Sequence, residues 1–436
     1  METILSNNKP SAKTFVIELD LKGQKNIRSA QARLEEAVSL TKAINLDIVG
    51  KEIISLKEVK SGTYLGSGTI ERLSLLLKNL DVELVLMDCA LSPIQQRNLE
   101  KSWQVKVIDR TALILEIFGE RASTKEGVLQ VELAHLTYQR SRLVRSWTHL
   151  ERQRGGAGFL GGPGETQIEI DRRIIDDKLV RIKKDLEHVK QTRTLQRKSR
   201  KKVPFPIVSL VGYTNAGKST LFNQLTKANV FAENLLFATL DPTMRQIELP
   251  SGKKIILSDT VGFISELPTE LVAAFRATLE EVLEADLILH VRDCSHEDSQ
   301  AQKTDVENVL KDLGLSEEVA HGIPEVLNKI DLLEFQEKEA LSRISSYKEL
   351  LWPICAKTGE GVNDLLLFID NALSKKQKNY IIHLPFSDGK TLAWLYEKGA
   401  VLSTKEKEDC IELEVSLSDK DYALLTKNID NILEIN

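Results

Sequence analysis

Gly212-Tyr213-Thr214-Asn215-Ala216-Gly217-Lys218-Ser219 is a GxxxxGKS stretch lying between two apolar runs. Before it, Ile207 to Val211 has the β-branched character of a short buried strand; after it, Leu221, Phe222 and Leu225 fall at helical spacing. A strand, a glycine loop and a helix start make a phosphate cradle. Backbone N–H groups from Gly212 to Ser219 wrap the anion, and a side chain at Gly212 or Gly217 would block its approach. Lys218 is placed to neutralise the β- and γ-phosphates, and the Ser219 hydroxyl to ligate Mg²⁺.

Three further motifs follow in order. Phe237-Ala238-Thr239-Leu240-Asp241-Pro242-Thr243 reads as an irregular stretch before a hairpin turning at Ser251-Gly252. A threonine there can complete Mg²⁺ coordination and sense the γ-phosphate, and spacing leaves both Thr239 and Thr243 open. Asp259-Thr260-Val261-Gly262 is a DxxG at a strand end, in which Asp259 holds Mg²⁺ through water and the Gly262 N–H meets the γ-phosphate. Asn328-Lys329-Ile330-Asp331 is an NKxD: one carboxylate accepts from both N1–H and the N2 amine of guanine, and adenine offers neither donor. Cys355-Ala356-Lys357 closes the base pocket, with the Ala356 N–H expected on O6. The residue after the DxxG is Phe263, whose ring cannot orient a water, so slow intrinsic hydrolysis is expected.

Upstream of the cradle the pattern changes to heptads. Leu129, Leu133, Leu136, Leu143, Trp147 and Leu150 form one stripe; Ile175, Leu179, Ile182, Leu186 and Val189 form a second, which frays toward Leu195. Two matching stripes joined by a short link predict an antiparallel αα-hairpin. Its tip, Gly155 to Glu165, is six-elevenths glycine and is flanked by Arg140, Arg142, Arg145, Arg152, Arg154, Arg172 and Arg173. Residues 138–202 hold 18 Lys/Arg against 8 Asp/Glu, a balance of +10, whereas the whole chain has 59 against 64, leaving −15 elsewhere. One segment is therefore suited to phosphate, as in folded RNA, although a solvated charged coiled coil fits the composition equally. The basic run Arg197 to Lys202 ends at Pro204 and Pro206, before the first strand of the nucleotide domain.

The 436 residues call for two to four domains. Strands at 14–22, Asp47–Leu56, Glu83–Met87 and Val105–Ile108 alternate with helical patterns at Ile27–Ile44, Ile70–Leu80 and Ile94–Trp103, which predicts a small parallel α/β domain. After Asn371, Tyr380 to Leu384, a helix near Lys390–Lys398, the alternating Cys410 to Val415 and a final helix read as a small α+β appendage. The expected architecture is thus α/β: residues 1–125 an α/β domain, 126–202 the basic hairpin, 203–376 a P-loop GTPase domain and 377–436 the α+β domain. Cys89, Cys294, Cys355 and Cys410 are widely spaced and form neither a disulfide framework nor a zinc site. No apolar run approaches the ~20 residues of a membrane span, and the start lacks the regions of a signal peptide. A monomeric cytoplasmic protein without a DNA partner is expected.

The four nucleotide motifs are those of the translation-factor-like P-loop GTPases, and nearly the whole chain resembles the HflX GTPases. The resemblance is carried further by Asp109-Arg110-Thr111 through Phe118, Gly162-Pro163-Gly164-Glu165-Thr166-Gln167 with Asp171-Arg172-Arg173, Phe237 to Asp241, and Leu392-Ala393-Trp394-Leu395. It implies a ribosome-associated GTPase, with GTP and GDP as substrate and product, that binds the large subunit and its rRNA and can separate ribosomal subunits. It also implies that Thr239 is the switch threonine, so that Lys218, Thr239 and Gly262 carry the chemistry and Ser219 and Thr239 hold the metal. The family commonly has an arginine where this chain has Gly161-Gly162, and serine where it has Cys355. The alternative from the residues alone is a GTP-dependent signalling switch whose hairpin grips a protein.

Overall fold

The structure, a computed structural model, describes residues 12–23, 28–153, 163–200, 205–227, 237, 243–265, 282–316, 322–347, 350–374, 377–397, 401–407, 410–418, 422, 425 and 432–434. The first part is a parallel sheet in the order β2-β1-β3-β4, from β1 (Lys13–Leu21), β2 (Asp47–Leu56), β3 (Leu84–Met87) and β4 (Lys106–Asp109). Four helices accompany it: α1 (Ala30–Ala43), α2 (Ser67–Asn79), α3 (Pro93–Trp103) and α4 (Arg110–Arg121). Strand alternation sorts the core. Phe15, Ile17, Val85 and Met87 join Leu73, Leu77 and Leu99 on one face, while Val16 and Leu86 join Leu34, Leu40 and Phe118 on the other. With both faces covered, β1 is buried almost end to end.

Two long helices follow, α5 (Lys125–Gln153) and α6 (Pro163–Arg200). The heptad stripes meet as expected: Leu136, Leu179, Ile182 and Leu186 are buried together, with Leu129, Leu133 and Ile175 packed on them. At ~1.5 Å per residue α5 is ~43 Å long, more than the link at 154–162 can retrace, so the helices run antiparallel. Trp147, Leu150, Leu195 and the glycine tip at 154–162 lie outside the described side chains or residues. Arg142 departs from its expected place among the phosphate-facing cations. It is turned inward, donating to Asp109 Oδ2 at 2.5 Å, because that buried carboxylate needs a partner. Arg140 is paired with Asp176 at 2.7 Å.

The second sheet has the order β10-β9-β8-β5-β7-β6. It comprises β5 (Ile207–Val211), β6 (Thr243–Glu248), β7 (Lys254–Asp259), β8 (Leu287–Asp293), β9 (Glu325–Asn328) and β10 (Leu351–Pro353), with only β6 antiparallel to its neighbour. Helices α7 (Lys218–Thr226), α8 (Ser299–Asp312), α9 (Phe335–Tyr347) and α10 (Val362–Ser374) accompany it, and Leu221, Phe222, Leu289, Val326 and Leu365 lie in its core. The third sheet is antiparallel, β12-β13-β11-β14, from β11 (Gln377–Pro385), β12 (Val401–Glu406), β13 (Cys410–Ser418) and β14 (Ile432–Glu434), with α11 (Gly389–Glu397). β14 stands near the chain end, where a final helix was expected; of that helix, only Tyr422 and Leu425 lie within the described residues. Among the described residues no helix is long and apolar enough to cross a membrane, and no group of three or more His, Cys, Asp and Glu is placed to hold a metal ion.

His290 sits in the middle of β8 at 3% exposure, and burial, reinforced by Arg292, pushes its pKa down to about 3. The folded state therefore keeps the ring neutral while the unfolded chain takes a proton near pH 6.5. Its contribution is intact above that pH and is lost as pH falls from about 6.5 toward 3. Between pH 7 and pH 5 the loss is ~2 kcal/mol. Denaturant melts at both pH values should show this drop in the native chain and a smaller one in His290→Leu; equal drops would refute it.

Candidate functional site

The glycine loop leaves the carboxyl end of β5 in the centre of its sheet. Gly212 has φ +153°, and a Cβ there would lie 2.1 Å from the Val291 carbonyl oxygen. At Gly217, with φ +90°, a Cβ would lie 2.1 Å from Asn328 Nδ2. A side chain at Gly212 would force backbone to move, and one at Gly217 would be strained by the positive φ and would turn the Asn328 amide aside. Lys218 opens α7 with its chain folded back under the loop, donating to the carbonyls of Gly212 at 3.0 Å and Tyr213 at 2.8 Å. Burial, opposed by Asp259, draws its pKa down to about 8. An arriving polyphosphate would restore the full charge.

The Ser219 hydroxyl donates to Asp259 Oδ2 at 2.7 Å, and Asp259 is fully buried at the end of β7. A hydroxyl and a carboxylate side by side at the mouth of a phosphate cradle are the oxygen donors a hard divalent cation takes, so these residues fit Mg²⁺. Thr260 turns away, its hydroxyl on the Leu210 carbonyl at 2.6 Å. Val261 is buried, and Gly262 lies against the loop, where a Cβ would come 2.8 Å from Thr214 Cγ2 and 3.1 Å from Lys218 Nζ. The next residue zips the two segments together: Phe263 N–H donates to Gly212 O at 3.1 Å, and Thr214 N–H to Phe263 O at 2.8 Å. Phe263 itself is buried.

Phe237 has its ring buried edge-on against Phe118, centroids 4.6 Å apart. Ala238, Thr239, Leu240 and Asp241 lie outside the described residues.

Asn328, at the end of β9, joins two loops. Its Nδ2 donates to Ala216 O at 2.9 Å and its Oδ1 accepts the Ala356 N–H at 2.9 Å. That amide is thus held by Asn328 rather than directed only at a base, because the buried Asn328 carbonyl has to be satisfied. Lys329, at φ +69°, reaches Asp293 at 2.7 Å. Asp331 is exposed in a 3₁₀ turn, and the Cys355 thiol donates to its Oδ1 at 3.1 Å. Cys355 therefore contributes its side chain, where sequence reasoning gave it only backbone atoms. Gly212 to Ser219, Asp259 to Gly262, Asn328 to Asp331 and Cys355 to Lys357 all stand at the carboxyl ends of the strands of one sheet, where open α/β sheets hold ligands.

Sequence reasoning missed what Tyr213 does. Its hydroxyl donates to Glu36 Oε2 at 2.7 Å and accepts from Arg28 at 2.8 Å and from the Ser265 N–H at 2.8 Å. Glu36 belongs to α1, so the cradle is bolted to the first domain. Burial works to raise the Glu36 pKa, but Arg110, Tyr213 and Arg28 hold it below the ordinary value. A cleft of about 540 Å³ runs beside this contact, lined by Arg28, Glu36, Tyr213, Asn215 and His296.

Four family models match the chain: GTP-binding GTPase N-terminal over residues 31–119, GTP-binding GTPase Middle Region over 121–200, 50S ribosome-binding GTPase over 207–329, and HflX C-terminal domain over 340–434. A relative described as GTPase HflX from Magnetococcus marinus is 50% identical over 391 residues, 89% of each chain. GTPase HflX of Escherichia coli is 43% identical over 397 residues, 90% of this chain and 92% of the relative. The crystal structure of SsGBP in complex with GDP covers 83% of this chain and 99% of its own, at 23% identity and a TM-score of 0.49.

Proposed function

We propose, from the premise that the chain belongs to the HflX family of GTPases, that its hydrolysis of GTP to GDP and phosphate runs with Mg²⁺ and governs its hold on the large ribosomal subunit. The ribosomal part rests on the match of residues 207–329 to the model described as a 50S ribosome-binding GTPase. The charge of +10 on residues 138–202 supports rRNA as the surface gripped. In this reading the chain divides as 1–125, 126–202, 203–376 and 377–436, with the hairpin as the RNA-binding arm. The protein works as a cytoplasmic monomer that is partly ribosome-bound, and its task is to split or rescue ribosomes.

Each residue has a role in the pocket. Gly212 to Ser219 wrap the phosphates, Lys218 balances their charge, and Asp331 and Cys355 hold the guanine edge beside Asn328, Lys329, Ile330, Ala356 and Lys357. Ser219, Thr239 and Asp259 would hold Mg²⁺, which when bound would neutralise charge that develops on the outer phosphate oxygens. The Gly262 N–H meets the γ-phosphate, with Thr260 and Val261 linking it to Asp259, and the stretch Phe237 to Asp241 supplies Thr239. The buried Phe263 ring orients no water, so the water-positioning group comes from the partner.

The purified chain is accordingly expected to turn over GTP slowly, and large subunits to raise the rate by a factor on the order of 10³–10⁵. Phosphate release should be followed with and without subunits; tens of turnovers per second from the chain alone would contradict this. Sucrose gradients of intact ribosomes with the protein and a non-hydrolysable GTP analogue test the splitting itself. Undiminished intact ribosomes in the gradient, with the protein bound, would leave binding without separation.

A further inference from the structure

We propose that Asp109 and Arg110, adjacent at the start of α4, carry the position of the segment after Gly262 to the helical arm, so that the nucleotide state alters how α5 is held. This rests on the reading of α5 and α6 as the ribosome-binding arm.

Arg110 is 5% exposed and faces the nucleotide domain. Its Nη1 donates to Asp88 at 2.7 Å, and its Nη2 reaches Glu36, Ser265 O at 3.2 Å and Ser265 Oγ at 3.1 Å. Ser265 follows Gly262 by three residues. It is held again by its N–H on the Tyr213 hydroxyl and by its own hydroxyl on Glu36 at 3.0 Å. Asp109 faces the arm. Its Oδ1 caps α4 at Ala112 N, 2.8 Å, and accepts the Tyr138 hydroxyl at 2.8 Å; its Oδ2 accepts from Arg142 at 2.5 Å and from Leu91 N at 3.2 Å. Tyr138 and Arg142 are one turn apart on α5, and the Arg142 guanidinium lies 4.3 Å from the Tyr138 ring centroid.

In this relay the segment from Asp259 to Ser265 is the element that moves. A Cβ on Gly262 would lie 2.8 Å from Thr214 Cγ2 and 3.1 Å from Lys218 Nζ, so little room is left there, and in this relay a terminal phosphate reaching Lys218 shifts the glycine. Arg110 then loses the two Ser265 oxygens and keeps only the carboxylates of Glu36 and Asp88. A buried guanidinium follows its remaining acceptors, because leaving its N–H groups unmet is costly. The planar peptide between residues 109 and 110 carries the shift to the carboxylate that holds α5. Hydrophobic side chains would fasten two domains at less desolvation cost than this line of buried charges, so fastening alone does not account for it.

Hydrogen–deuterium exchange on the full chain, with GDP or a non-hydrolysable GTP analogue and no ribosome present, tests the relay. In the native chain, amides of the first turn of α4 and of residues 136–143 should differ between nucleotides by roughly fivefold or more, the lower end of ordinary coupling. Tyr138→Phe, which leaves Arg142 on Asp109, should keep the α4 response and reduce that in α5, while Ser265→Ala, cutting the other end, should reduce both. A nucleotide response in residues 136–143 that is absent from the native chain, or that survives both variants unchanged, would overturn the relay. Binding of large subunits separates the two readings. Native protein that binds equally with either nucleotide refutes the ribosomal reading, whereas nucleotide-dependent binding that Tyr138→Phe leaves intact refutes the relay alone.

Discussion

Lys218→Met is expected to abolish GTP turnover while making the nucleotide-free protein more resistant to heat. The ammonium is buried under the glycine loop, and removing it should cost a factor on the order of 10³ in turnover, as when a preorganised charge is deleted from a transition state. Stability should move the other way. The folded pKa of about 8 lies below the ordinary 10.5, so between those values the unfolded chain binds the proton and the folded one does not. Stability therefore rises with pH through that window, and below about pH 8 the buried charge costs up to ~3 kcal/mol. Loss of the bonds to the Gly212 and Tyr213 carbonyls offsets ~1 kcal/mol each. The net gain of ~1 kcal/mol should appear as a rise of ~2–4 °C in the melting temperature of the apo protein at pH 7. A lower melting temperature would mean that the carbonyl contacts outweigh the desolvation.

Asp331→Asn should weaken GTP by ~10²–10⁴-fold, the worth of two hydrogen bonds to a charged acceptor, and shift preference to xanthine nucleotides. Xanthine carries an acceptor where guanine carries its amine, so an amide at residue 331 can donate to it. The Cys355 thiol, 3.1 Å from Oδ1, can still donate to the oxygen of the new amide, leaving the NH₂ turned to the base. Competition of GTP and XTP for one fluorescent nucleotide reads the change directly. Unaltered GTP affinity would remove Asp331 from base recognition.

Much of the fold could be read from local spacing. The inner strands β1 and β3 of the first sheet were legible because both of their faces are buried, and the αα-hairpin because its stripes repeat every three and four residues. The glycine loop was legible because a Cβ at Gly212 or Gly217 collides with Val291 or Asn328, a constraint that leaves its mark on residue type. The contact between Tyr213 and Glu36 left none: the residues are 177 apart, and nothing in a helix such as α1 says which glutamate will turn inward. Arg142 misled for the same reason. Among the many arginines of the α5 and α6 sequences, the one that pairs with a buried helix cap reads like the rest until Asp109 is placed beside it.

Asn328 has its own consequence. A single side-chain amide holds the Ala216 carbonyl on one side and the Ala356 N–H on the other, so the two grips on a nucleotide share one small part and cannot be adjusted separately. Drift toward a different purine through this residue would loosen the seat of the triphosphate as well. Selectivity in such a pocket is inherited whole, and change has to enter at its rim, through Asp331 and Cys355.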